Sequence, residues 1–174
     1  MSTAPAPAAA AGFTTKDFRH AVGGFATGVT VITTRGEEHA YGMTANAFSS
    51  VSLDPPLVLV CVIANSEGSR HIASNRCFAV NVLGSTQEPL SRYFANRERP
   101  KGRDAFRDVP HRVSTTGSPI IDGSVAYLDC LLHAAYVAGD HDIFIGEVVE
   151  LGLDSESEPL LFHGGRYRLA VDAT

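Results

Sequence analysis

The chain has 174 residues, 44% of them hydrophobic and 19% charged, with a formal charge of −5 at pH 7. That length holds one domain with a real core and is short for two, and no apolar run approaches the roughly 20 residues that cross a bilayer as a helix. Lys and Arg are scattered, which argues against a nucleic-acid surface; the one concentration, Arg97, Arg99, Lys101 and Arg103, is diluted by Glu98 and Asp104 and reads as a solvated loop.

Residues 1–13 are rich in Ala and Pro, without a basic start or a continuous apolar core. They read as a disordered lead-in rather than a signal peptide, which leaves 14–171 as one domain. Thr14 or Thr15 caps a first helix, along which Phe18, Val22 and Phe25 form an apolar stripe, and Gly23-Gly24 ends it. Apolar and hydroxyl side chains alternate over 29–34, which predicts a strand. A polar turn at 35–38 leads to further strands over 38–44 and 48–52. The Asp54-Pro55-Pro56 turn bars helix and sheet pairing together, and the unbroken apolar run 57–63 suits a strand buried on both faces.

A short helix is expected from Asn65 or Ser66 to Ser74, then a strand over 78–83. Leu90 and Phe94, four residues apart, mark a helix over 87–94. The segment 95–117 is polar and poorly periodic, as functional or mobile loops are. Residues 125–137 form a long apolar strand, Gly139-Asp140 turns the chain, and 143–153 alternates well. A turn at 155–159 precedes two closing strands, 160–163 and 167–170. Many short strands with few helices predict a mainly β fold, an antiparallel barrel. Cys61, Cys77 and Cys130 each lie in an apolar segment, show no CxxC spacing and cannot all pair, so free thiols in a reducing cytoplasm are expected.

Hydrolase, P-loop, zinc-enzyme and Rossmann signatures are absent. Four features remain. The run Thr44-Ala45-Asn46-Ala47-Phe48-Ser49-Ser50 is small apart from Phe48, so it reads either as a tight hairpin with an irregular strand or as a bed on which a flat ligand lies close to the backbone. The start of the second helix offers Ser66 and Ser69 hydroxyls and a positive dipole end, an anion site or an ordinary cap; Arg70 and His71 oppose that dipole unless an anion is bound. Cys61 and Phe94 are core residues or flank such a ligand. His141, in the Gly139-Asp140-His141-Asp142 turn, reads by itself as a surface residue.

The motifs FATGVTVITT, GMTANAFSSVSLDPPLVLVCV, FAVNVL, LSRYFA and GDHDIFIGEV stand in the order and spacing of the short-chain flavin reductases, and the chain resembles that family from about Phe18 to Leu169. The resemblance implies a Greek-key split β-barrel of about six antiparallel strands with a few flanking helices. It implies an NAD(P)H:flavin oxidoreductase that reduces free FAD or FMN with NADH or NADPH and supplies a separate flavin-dependent monooxygenase. It also implies a homodimer, while the thiols, the charge pattern and the hydropathy above give the expectation of a cytoplasmic protein with no membrane or nucleic-acid partner. Carried onto this sequence, Thr44, Ala45, Asn46, Ser49 and Ser50 become flavin contacts, Cys61 and Phe94 flank the ring, and Ser66, Ser69 and Arg70 lie by the phosphate. His141 faces the nicotinamide side, with Tyr167 near it. The rival classes are a non-enzymatic flavin- or haem-binding barrel and a pyridoxine phosphate-oxidising relative; the latter would want an Arg/Lys cluster for the substrate phosphate.

Overall fold

In the computed structural model, which describes residues 12–36, 40–154 and 156–170, the elements follow in the order α1 (Thr15–Gly23), β1 (Thr27–Gly28), β2 (Thr30–Thr34), β3 (Tyr41–Ala45), β4 (Phe48–Leu53), β5 (Pro56–Ile63), α2 (Glu67–Asn75), β6 (Cys77–Val82), α3 (Glu88–Ala95), a 3-10 turn (Gly102–Phe106), β7 (His111–Val113), β8 (Pro119–Ile121), β9 (Ala126–Ala138), β10 (His141–Leu153), β11 (Leu160–His163) and β12 (Arg166–Leu169). Residues 1–11 of the expected lead-in, the strand start at Glu38 and part of the turns at 35–38 and 155–159 lie outside the described residues.

Seven strands form one antiparallel sheet in the order β3-β2-β6-β9-β10-β5-β4. The sheet curls without closing, so its edges are β3 and β4, which are consecutive in the chain. Asn46 and Ala47 therefore carry the backbone across the split. Edge strands leave backbone N–H and C=O groups without a ladder partner, and here both edges border the same opening. That geometry is the split barrel. Two smaller sheets, β1-β11-β12 and β7-β8, pack outside it.

The strand expected over 29–34 is β2, which like β6 is buried on both faces. Ile32 enters the barrel core with Val58, Val60, Val62, Phe78, Val80 and Phe144, whereas Val29 and Val31 join a second core with Phe94, Phe106, Val109 and Leu160. The expectation of two-sided burial for 57–63 is corrected. Val58, Val60 and Val62 of β5 are buried, while Leu57, Leu59 and Cys61 on the other face are half-buried. The Asp54-Pro55-Pro56 turn does not end sheet pairing either: it is a hairpin, and Pro56 opens β5 opposite Leu53. Proline is tolerated as a first strand residue.

Helix starts follow the capping chemistry. Thr14 Oγ1 accepts from Asp17 N at 3.2 Å while Asp17 Oδ2 accepts from Thr14 N at 2.8 Å, a reciprocal capping box. The stripe of α1 is not buried within the chain, since Phe18 and Val22 are each 56% exposed and Phe25 is 76% exposed. The segment 95–117 is also more ordered than its polarity implied. Its 3-10 turn and the residues after it bury Ala105, Phe106 and Val109 against α3 and β2.

Candidate active site

Where the chain crosses from β3 to β4, a groove of about 390 Å³ opens between β3 and the end of β5. Met43, Thr44, Ala45, Asn46 and Ala47 form one wall, and Cys61, Val62 and Ile63 of β5 form the other. Ser66, Phe94 and Ala95 at the end of α3, Arg97 and Arg99 beyond that helix, and His141 at the start of β10 complete the lining. The sequence-expected residues Thr44, Ala45, Asn46, Cys61, Ser66, Phe94 and His141 are thus brought together from five elements.

Local chemistry sets each of them. Thr30 Oγ1 donates to the Ala45 carbonyl at 2.6 Å and Thr44 Oγ1 donates to the Ser91 carbonyl at 2.6 Å, which pins the small-residue wall to β2 and α3. Cys61 N donates to the Ala47 carbonyl at 3.0 Å, fixing the crossing. Burial pushes the Cys61 thiol up from its ordinary value, so the wall it forms is neutral at pH 7. Gly42 is obligatory behind the groove: a Cβ there would sit 2.6 Å from Phe94 Cε1.

His141 reaches the rim because Gly139, at φ 65°, turns β9 into β10 and registers His141 opposite Ile63. Its Nδ1 lies 2.8 Å from Asp140 Oδ1. The hydrogen bond from His141 holds the Asp140 carboxyl below the usual carboxylate range, and it leaves Nε2 as the ring nitrogen open to a ligand.

Five expected residues lie outside the groove. Ser69 Oγ donates to Asp142 Oδ2 at 2.5 Å, and Arg70 Nη1 folds back onto the Asn65 carbonyl at 2.5 Å. Ser49 lines a neighbouring apolar hollow under α1, and Ser50 is exposed on β4. The Tyr167 hydroxyl meets Ser91 Oγ at 2.9 Å, and its ring packs on Phe162 under Arg92, away from the opening.

The reading of Arg97, Arg99, Lys101 and Arg103 as a solvated loop needs correcting at Arg99, which is buried. Tyr41, Met43, Arg97 and Arg99 are groove residues that sequence reasoning missed. The basic run was visible, but nothing in it showed that its middle member turns inward. Together these residues make a flat, largely apolar slot with backbone polar groups on one wall and cations at one end. A planar heteroaromatic ligand with an anionic tail fits such a slot.

Residues 22–170 match the flavin reductase like domain, and the chain belongs to that family. An NADH-dependent FAD reductase of Streptomyces globisporus is 46% identical over 157 residues, which are 89% of this chain and 86% of the relative. The flavin-dependent monooxygenase reductase subunit HsaB of Mycobacterium tuberculosis is 38% identical over 154 residues, 87% of this chain and 80% of that protein. Among solved structures, the NADH:FAD oxidoreductase SgcE6 of Streptomyces globisporus superposes with a TM-score of 0.87 at 41% identity, covering 97% of this chain and all of that one.

Proposed function

We infer that this chain is an NAD(P)H:flavin oxidoreductase, one split-barrel domain over 14–171, which reduces FAD or FMN and hands the reduced flavin to a separate monooxygenase. The observation that carries the reading is the slot of small residues along the β3–β4 split, with His141 on its open side, in a chain of this family.

The residues present fit a flavin. Thr44, Ala45 and Asn46 would hold the ring, since their small side chains let backbone N–H and C=O groups reach its polar edge; Cys61 and Phe94 would flank it and Ser66 would take the tail. When bound, the flavin supplies the hydride acceptor and the nicotinamide the hydride. The protein's contribution is positioning, which needs no protein acid or base at the reacting atoms. His141 Nε2 orients the nicotinamide nucleotide on the open face, and Asp140 holds the imidazole in the orientation that presents that nitrogen. The neutral Cys61 wall adds no charge beside the ring.

The apolar surface supports a homodimer. Phe18, Val22, Phe25, Phe48, Leu59 and Phe162 line a hollow of about 540 Å³ on the outer face of β5, larger than one residue's gap and open to solvent in the single chain. A second copy covers it, and sedimentation should give twice the 18.5 kDa chain mass. The three free thiols suit a cytoplasmic setting.

The test of the activity is direct. Purified protein with added FAD or FMN should accelerate NADH or NADPH oxidation catalytically, with many turnovers per chain. Stoichiometric flavin retention without turnover would instead support the non-enzymatic binding module.

A further inference from the structure

His141 can orient a nicotinamide nucleotide only from a turn that is itself fixed, and the turn that carries it is exposed. Val137 is open to solvent, the Asp140 side chain is 95% exposed, and a Cβ on Gly139 would meet nothing within 4 Å. The 2.8 Å contact of His141 Nδ1 with Asp140 Oδ1 lies within the turn. It sets the ring relative to the turn, not the turn relative to the groove. On the β5 side the ladder closes with Ala64 N donating to the Asp140 carbonyl at 2.9 Å.

The next residue faces the other way. Asp142 pairs with Val62, which belongs to the barrel core, whereas His141 pairs with the exposed Ile63. Successive strand side chains point to opposite faces, so Asp142 turns towards the core side. A carboxylate there needs a donor. Ser69 Oγ supplies it at 2.5 Å, the length of a hydroxyl–carboxylate bond, from 73 residues away in the chain. Ser69 is firmly mounted: it is 6% exposed, and Ile72, three residues on and so on the same face of α2, is buried in the barrel core. The Ser69 amide donates to Ser66 Oγ at 3.1 Å, and Ser66 lines the groove. One hydrogen bond therefore ties the hairpin that carries His141 to the helix whose cap residue lines the groove. Neither Ser69 nor Asp142 lines the groove, so what the bond does there passes through His141.

We propose that Ser69 and Asp142 are positioning residues for His141. Their bond holds the β9–β10 turn so that Nε2 stays presented to the nicotinamide nucleotide, and it sets the affinity for that nucleotide without touching either reactant. The proposal rests on the oxidoreductase reading above.

The experiment is steady-state kinetics on the wild type, Ser69→Ala, Asp142→Ala and the double variant, with each single substitution repeated on His141→Ala. Each single substitution should raise KM for NADH about threefold or more, the scale of coupling within one hydrogen-bond network, and leave the flavin dissociation constant, titrated by fluorescence without nicotinamide, within about twofold. The double variant should cost no more than the worse single. On His141→Ala neither substitution should move KM for NADH further, a result that a general loosening of the fold does not give. Backbone amide order parameters at 139–141 should fall in Ser69→Ala from the rigid value of about 0.85 towards about 0.6.

Unchanged order parameters and an unchanged KM for NADH overturn the proposal. A weaker flavin affinity in Ser69→Ala with KM for NADH unmoved also overturns it, and gives the hydroxyl to the flavin. Losses that persist on His141→Ala make the bond a prop for the fold and overturn it too. If the wild type oxidises no NADH with either flavin, the oxidoreductase reading fails first and the proposal falls with it.

Discussion

Gly42 shows how closely the back of the groove is built. A methyl group there would lie 2.6 Å from Phe94 Cε1 and 3.0 Å from Phe106 Cζ, and both rings are buried. Gly42→Ala should therefore destabilise the fold by about 1–3 kcal/mol through overpacking, read as a lower urea midpoint, and should weaken flavin binding by shifting Phe94. An unchanged midpoint would mean the rings yield freely. His141 has no such packing duty, and its role is read in kinetics. His141→Ala should raise KM for NADH more than KM for flavin; equal effects on both would remove it from the nicotinamide face. What was legible at this scale depended on how local each residue's partners are. Ser66 was readable as a cap because its partner, Ser69 N, is three residues away. The Ser69 hydroxyl was not, because Asp142 takes it from 73 residues further on. Arg99 was misread for the same reason: Gly42, whose carbonyl its Nη2 reaches, stands 57 residues earlier in the chain.

Among elements, the strands were largely legible because alternation is a property of the strand itself. Val29 to Thr34, the hairpin around Gly139 and the run at 57–63 all form where period and turn chemistry place them. The segment 95–117 was not legible, since its order comes from Phe106 and Val109 meeting α3 and β2, not from any period of its own. Its later part is clamped from β10. Glu150 accepts from Thr115 Oγ1 at 2.7 Å, Thr115 N at 2.9 Å, Tyr127 Oη at 3.0 Å and Arg112 Nη1 at 3.3 Å. These bonds, the Thr115 hydroxyl first, hold its carboxyl down to about 2 from an ordinary 4.5. A carboxylate with a depressed folded-state pKa stabilises the fold above its ordinary pKa and loses that contribution as pH falls through the folded value. Glu150→Gln should thus lower the urea midpoint at pH 7, and the difference from wild type should shrink between pH 4.5 and pH 2. A difference that grows on acidification would contradict the clamp.

For the whole molecule, the decisive feature is that a seven-stranded sheet ends on two strands that are neighbours in the chain. The same split that denies β3 and β4 a mutual ladder provides backbone groups for a planar ligand, and the short link Asn46-Ala47 keeps the walls close. The apolar outer face of β5 and the exposed stripe of α1 stand uncovered in the single chain, which is the surface the proposed second copy would cover. Disrupting that stripe with Phe18→Asp should shift the sedimenting mass from dimer to monomer, whereas a mass unchanged by the substitution would place the interface elsewhere. The sequence motifs were sufficient for the family and the barrel. The barrel's open seam, and the cations gathered at its end, emerge only once distant strands are paired.

The most direct measurement of the central claim is a crystal structure of the protein with oxidised FMN or FAD. The account predicts the ring along residues 44–46, Phe94 above it, His141 beside its uncovered face, and the tail towards Ser66. A flavin bound elsewhere, or a seam filled by the protein's own side chains, would contradict it.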